Sequence, residues 1–138
     1  MGEILEKLLI PLPDIRSLPA VEARLIIAFR LAVVATQNSL DCLDHLSDRL
    51  GGRRAATRIL ILAETIGSAW QEPFQIGRPC SSLTTPDEIW LLAAIRLAAG
   101  DNRPGFDLLS CEMLGDCERE RIYQDLGNFV ASYTRPRG

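Results

Sequence analysis

Leu25-Ile26-Ile27-Ala28-Phe29-Arg30-Leu31-Ala32-Val33-Val34-Ala35 is the stretch on which the fold turns. Arg30 apart, every residue in it is apolar. A helix lying on the surface of a bundle keeps a polar face, and this run has none. As a helix it must therefore be buried on several sides. It predicts either the central helix of a bundle or part of a subunit interface. It does not predict a membrane span, because Arg30 interrupts it and it is far shorter than the roughly 20 residues that a crossing needs.

The same helical spacing continues outward from the run. Leu25, Phe29, Ala32, Leu40, Leu43, Leu46 and Leu50 fall mostly three or four residues apart. Pro19 suits a helix start and Gly51-Gly52 a helix stop. The expectation is one long first helix from about Pro19 to Leu50, with Thr36-Gln37-Asn38-Ser39, a run of poor helix formers, as the place where it bends or breaks. A second helix follows from Arg53 to about Gln71, with Ala56, Ile59, Ala63, Ile66 and Trp70 on one face, and Pro73 ends it. Two prolines and a glycine between Pro73 and Thr84 predict an ordered crossing loop.

Thr85-Pro86-Asp87-Glu88 is the clearest helix start in the chain. Thr85 and Glu88 have capping-box spacing, Pro86 fits the first helical position, and the acids suit the positive end of the helix. This third helix runs through Trp90, Leu91, Ala94 and Leu97 to Gly100. A fourth spans about Arg103 to Met113. A fifth begins after Asp116 and carries Ile122, Leu126, Phe129, Val130 and Tyr133. No alternating β pattern and no Asn-Gly hairpin is present. The predicted fold is all-α: a compact bundle of about five helices, with a long central first helix and an ordered proline-bounded loop near 73–84. Nothing divides the 138 residues, so they form one domain. Residues 1–15 are expected to be a helical turn and an extended Pro11-Leu12-Pro13 arm across the core, and residues 135–138 a frayed tail.

The net charge of −3 and pI near 5.2 oppose non-specific binding to nucleic acid, which needs a basic face. The first residues lack the positive region of a signal peptide, so a cytoplasmic location is expected. Cys42, Cys80, Cys111 and Cys117 are then reduced thiols, and most should act as small hydrophobes in or near the core. Two are candidate reactive thiols. Cys80 lies in the proline-bounded loop, and Cys117 falls in the first turn of the last helix, where the helix dipole lowers a thiol pKa.

Helical spacing brings Asp41, Asp44, the only histidine His45, and Asp48 to one face. Asp41, His45 and Asp48 are therefore candidate metal ligands; the alternative is a solvated acidic face opposite Leu40, Leu43, Leu46 and Leu50. Cys42-x-x-His45 has no second ligand pair to complete a zinc site. Arg49, Arg53, Arg54 and Arg58 gather around Gly51-Gly52 and are candidates for holding a phosphate or carboxylate. Their alternative is surface pairing with Asp44, Asp48 and other acids. No serine-hydrolase, metalloprotease, dinucleotide, Walker or glycosidase pattern occurs, so no catalytic residue and no cofactor is nominated.

The passage Pro79-Cys80-Ser81-Ser82-Leu83-Thr84-Thr85-Pro86-Asp87-Glu88 with Leu91-Leu92-Ala93-Ala94, and the earlier Ala28-Phe29-Arg30, resemble a family of small all-helical alphaproteobacterial proteins described only as a domain of unknown function. The resemblance covers about residues 12 to 130 and implies a helical fold without an activity. The family's loop often carries adjacent cysteines, where this chain has Cys80-Ser81-Ser82. The leading expectation is a non-enzymatic helical interaction protein whose partner is a second copy of itself, as a homodimer, or another protein. The alternatives are a small-ligand, metal or thiol-redox sensor, and an enzyme acting on an anionic small molecule.

Overall fold

The structure is a computed structural model that describes residues 12–78 and 80–134. Among these residues the chain forms a short 3-10 turn, Ile15–Ser17, and six α-helices: α1 Ala20–Asn38, α2 Leu43–Leu50, α3 Arg53–Ala69, α4 Pro86–Ala99, α5 Arg103–Ser110 and α6 Asp116–Thr134. The all-helical architecture is as expected. The helix count is six rather than five, because the long first helix is two helices.

The break falls in the poor helix-forming run. Thr36 Oγ1 donates to the Val33 carbonyl and Asn38 Nδ2 to the Val34 carbonyl, side-chain bonds that compete with helix continuation. Ser39 then adopts a left-handed conformation, φ 53° and ψ 38°, and both Ser39 and Leu40 donate their N–H to the Ala35 carbonyl. Residues 40–42 run outside any helix, and Asp41 Oδ1 accepts the Leu43 N–H as α2 begins. The glycine corner holds as expected: Gly51 has φ 80°, and the N–H groups of Gly51 and Gly52 both return to the Ser47 carbonyl.

Most of the Leu25–Ala35 segment is buried within the single chain, and Ile27, Leu31 and Val34 are half-buried. Leu25, Ile26, Ala28, Phe29, Ala32, Val33 and Ala35 all lie in its core. α1 packs on α2, α3, α4 and the 3-10 turn. The broadest packing in the bundle belongs to α3, which fills the space between α1, α2 and α6 through Ala56, Ile59, Leu62 and Ile66. Ile122, Leu126 and Phe129 of α6 complete that core. A smaller cluster of Ile15, Ile26 and Leu92 fixes the 3-10 turn against α1 and α4.

Of the expected N-terminal arm, residues 1–11 lie outside the described residues, as does the expected frayed tail at 135–138. The segment entering the 3-10 turn lies antiparallel to the crossing loop. Asp14 pairs with Leu83, the Ile15 N–H donates to the Ser82 carbonyl at 2.7 Å, and Thr84 Oγ1 donates to the Pro13 carbonyl at 2.6 Å.

α4 starts on the predicted capping box. Thr85 Oγ1 accepts from the Glu88 N–H at 3.1 Å, and Glu88 Oε1 accepts from the Thr85 N–H at 2.9 Å. The Thr85 hydroxyl also donates to the Gln75 carbonyl at 2.6 Å, so one residue starts the helix and pins the loop. Thr85→Ala is expected to cost about 1–2 kcal/mol, combining a lost N-cap with a lost loop hydrogen bond. Thr85→Ser should recover most of it. Urea denaturation of the three proteins measures both effects.

Candidate functional site

Arg30 is the one charged residue of the apolar run, and it has no exposed surface. Its partner is Glu88, which is also fully buried. Arg30 Nε donates to Glu88 Oε2 at 2.6 Å and Nη2 to Glu88 Oε1 at 2.9 Å, a bidentate pair. The three remaining guanidinium N–H groups go to the crossing loop. Nη1 donates to the carbonyls of Arg78 and Ser81 at 2.9 and 2.7 Å, and Nη2 to that of Leu83 at 2.7 Å. Glu88 also accepts the N–H groups of Thr85 and Gly77. Gly77 leaves room for this: a Cβ there would stand 2.7 Å from Arg30 Cζ and 3.0 Å from the Leu83 carbonyl oxygen.

The loop so held forms one end of a groove. A cleft of about 500 Å3 opens between the C-terminal halves of α1 and α3. Its floor is Phe29 and Val33 from α1, Ala63 and Ile66 from α3, and Trp70 and Phe74 from the start of the loop. The aromatic rings are fixed by edge contacts, Phe29 to Phe74 at 5.5 Å and Trp70 to Phe74 at 5.0 Å between centroids. The Trp70 ring continues this chain to Trp90 at 4.7 Å, inside the bundle. The rim is polar: Thr36, Gln37 and Gln71 with two exposed carboxylates, Glu64 and Glu72. No basic side chain is among the described residues that line it. Neither acid forms an ion pair within the described structure. A half-open cleft of this size, apolar below and polar at the edge, has the character of a small-molecule site.

The acidic face nominated from the sequence is not assembled. Asp41 lies before α2, where it caps the Leu43 N–H, so it leaves the helical face that Asp44, His45 and Asp48 share. His45 is exposed, and its Nε2 accepts from Arg49 Nε at 3.2 Å. Among the described residues no three His, Cys, Asp or Glu side chains gather closely enough to hold a metal ion.

Of the four arginines, Arg49 is taken up by His45 and Arg53 pairs with Asp44 at 3.0 Å across the glycine corner. Arg54 and Arg58 line two adjoining hollows beside α6.

The cysteines differ in part from the expectation that most lie in or near the core, while the loop thiol Cys80 is accessible, as its nomination requires. Cys80, Cys111 and Cys117 are all exposed, and only Cys42 is partly buried against the core. Cys111 caps the end of α5 and Cys117 lies on the outer side of the first turn of α6, so neither points inward. Burial, followed by the Asp41 charge, pushes the Cys42 thiol up. A raised thiol pKa means less thiolate at a given pH and slower reaction. With a disulfide reagent at mildly alkaline pH, three thiols are expected to react in a fast phase and one in a slow phase. Cys42→Ser should delete the slow phase alone.

Sequence reasoning missed the Arg30–Glu88 pair and the groove. Arg30 itself carried a signal, since a cation in a helix apolar all round must find buried acceptors. Arg30→Lys keeps the charge but loses at least two of the five hydrogen bonds, for an expected cost of about 2–3 kcal/mol. Arg30→Met strands the buried Glu88 charge and should cost about 3–5 kcal/mol. Chemical denaturation reads both, and a lysine variant as stable as the parent would contradict the clamp. Comparisons of the chain with protein-family models, with curated proteins and with solved structures find no match.

Proposed function

We propose that this chain is a non-enzymatic binding domain whose α1–α3 groove receives an apolar organic cation. One observation carries the reading: Trp70 and the accessible edge of Phe74, backed by the buried Phe29, lie beneath the rim carboxylates Glu64 and Glu72, which form no ion pair with a described residue, and no cation is in the described lining. The floor supplies hydrophobic contact at about 25 cal/mol per Å2 of apolar surface covered. The Trp70 ring adds attraction for a cationic head, and the carboxylates supply charge complementarity. Most of the Leu25–Ala35 segment is buried within one chain, with Ile27, Leu31 and Val34 half-buried, so its apolar character does not by itself call for a second copy.

The test uses three probes of one skeleton: phenylbutylamine, phenylbutanol and phenylbutyrate, titrated against tryptophan fluorescence of the full chain. The amine should bind most tightly, the alcohol less so, and the carboxylate least. Two rim-exposed ion pairs at about 0.5 kcal/mol each imply roughly a fivefold preference for the amine over the alcohol. Glu64→Gln with Glu72→Gln should remove that preference and leave alcohol binding unchanged. Absence of saturable binding by all three probes, or a carboxylate that binds as well as the amine, would sink the proposal.

A further inference from the structure

The other end of α3 presents the opposite chemistry. Two hollows, of about 300 and 410 Å3, adjoin there and share Arg54 and Arg58 as a common wall. The first is closed by Asn128, Ala131 and Ser132 of α6. The second is bounded by Arg53, Thr57 and Ile61. Neither has an acidic side chain in its described lining. In a chain of net charge −3, that is a local concentration of one sign that the overall balance does not supply.

Arg54 and Arg58 stand one turn apart on the same face of α3, a spacing at which like charges repel. They also lie in the first two turns, where cations oppose the helix dipole. Neither forms an ion pair with a described acid. The conflict is therefore uncompensated within the described structure. Two guanidiniums with five fixed donors each, facing one hollow, suit the tetrahedral oxygens of a phosphoryl group. Asn128 is exposed at the same hollow with an amide free to donate.

We infer that Arg54 and Arg58, with Asn128 beside them, form a site for the phosphoryl group of a small molecule; Arg53, at the edge of the second hollow, is paired with Asp44. Arg49, nominated with them from the sequence, does not belong to it, since its guanidinium is turned to His45. The site is independent of the aromatic groove.

Sodium diphosphate is the probe, titrated at constant ionic strength against sodium chloride, with the thermal midpoint of the full chain as readout. The parent should rise by about 3–5 °C, saturating, with no matching rise in chloride. Phosphorus NMR of the diphosphate should broaden with the parent protein. Arg54→Gln with Arg58→Gln should abolish both responses. The same variant distinguishes a merely structural role: arginines that stabilise the end of α6 would lower the midpoint when removed, whereas uncompensated arginines leave it unchanged or higher at low salt. If the double variant fails to fold, Asn128→Asp puts a carboxylate into the hollow with both arginines in place, and it should lose the response. No saturable rise in the parent overturns the inference. So does a rise that survives in both variants, or a double variant that loses stability without any anion present.

Discussion

A guanidinium without exposed surface must find an acceptor for each of its five N–H groups, and Arg30 finds all five. Removing an ion pair from water costs several kcal/mol per ion and is recovered only with excellent geometry and full hydrogen bonding. Here the carboxylate takes two donors and the crossing loop takes three. The loop in turn acquires partners for backbone carbonyls that no helix or sheet ladder serves. Its path is set by where those carbonyls must point. Gly77 lies against the guanidinium because no side chain fits, and Leu83 is drawn to the Nη2 side, where it also pairs with Asp14. The entry segment is thus anchored to the loop, and the loop to α1. An apolar pair of the same volume could match the clamp in stability. It could not dictate the course of residues 77 to 83.

The groove inherits its order from that constraint. Phe29 immediately precedes Arg30, so the residue forming the groove floor and the residue holding the loop are fixed on one rigid helix turn. Phe74 and Trp70 lead into the clamped segment, and Gln75 between them and Gly77 is held twice, its N–H by Asp87 Oδ2 at 2.7 Å and its carbonyl by the Thr85 hydroxyl. The floor is consequently fixed by contacts within the chain itself. A preformed site avoids the cost of immobilising a loop and several side chains on binding, which otherwise consumes a large part of the interaction energy.

The sequence made the helices legible where local chemistry decides them. The Thr85 capping box, the Gly51 corner and the apolar periodicity of α3 and α6 each depend on residues within about one or two turns. The split between α1 and α2 was visible only as a weak run at Thr36–Ser39, because propensity there favours a break without enforcing one. The clamp was illegible for a different reason. Arg30 advertises a need for buried acceptors, but 58 residues separate it from Glu88, and 18 acids compete for the role. The capping box accounts for Glu88 locally, so nothing in the sequence calls for a second, distant partner. The cysteines failed likewise: their average tendency is burial, whereas Cys111 and Cys117 sit at helix ends whose orientation only the packing sets.

α3 brings these strands together. Three helices keep their charges with the dipole: α2 starts with Asp44 and ends with Arg49, α4 starts with Asp87 and Glu88 and carries Arg96 in its last turn, and α6 starts with Asp116 and Glu118. α5 opens on Arg103 without an acid in its first turn, but Asp107 and Glu120 pair with that arginine. In α3 the order is reversed. Its first turn holds Arg53 and Arg54 without an acid, and its last turn has no base. Each misplaced charge costs a few tenths of a kcal/mol to about 1 kcal/mol. The helix tolerates this because Ile59, Leu62 and Ile66 are essentially fully buried against three neighbours, and burying a side chain of that size contributes roughly 1.5–3 kcal/mol. Packing therefore fixes α3 whatever its charges, so the placement of charge at its two ends is not dictated by the stability of the helix. Acids flank the aromatic groove at one end and arginines the hollows at the other. The arginine that opens α5 is neutralised by Asp107 and Glu120, whereas Arg54 and Arg58 of α3 form no ion pair with a described residue, and local conflicts left uncompensated are expected at functional or strained positions.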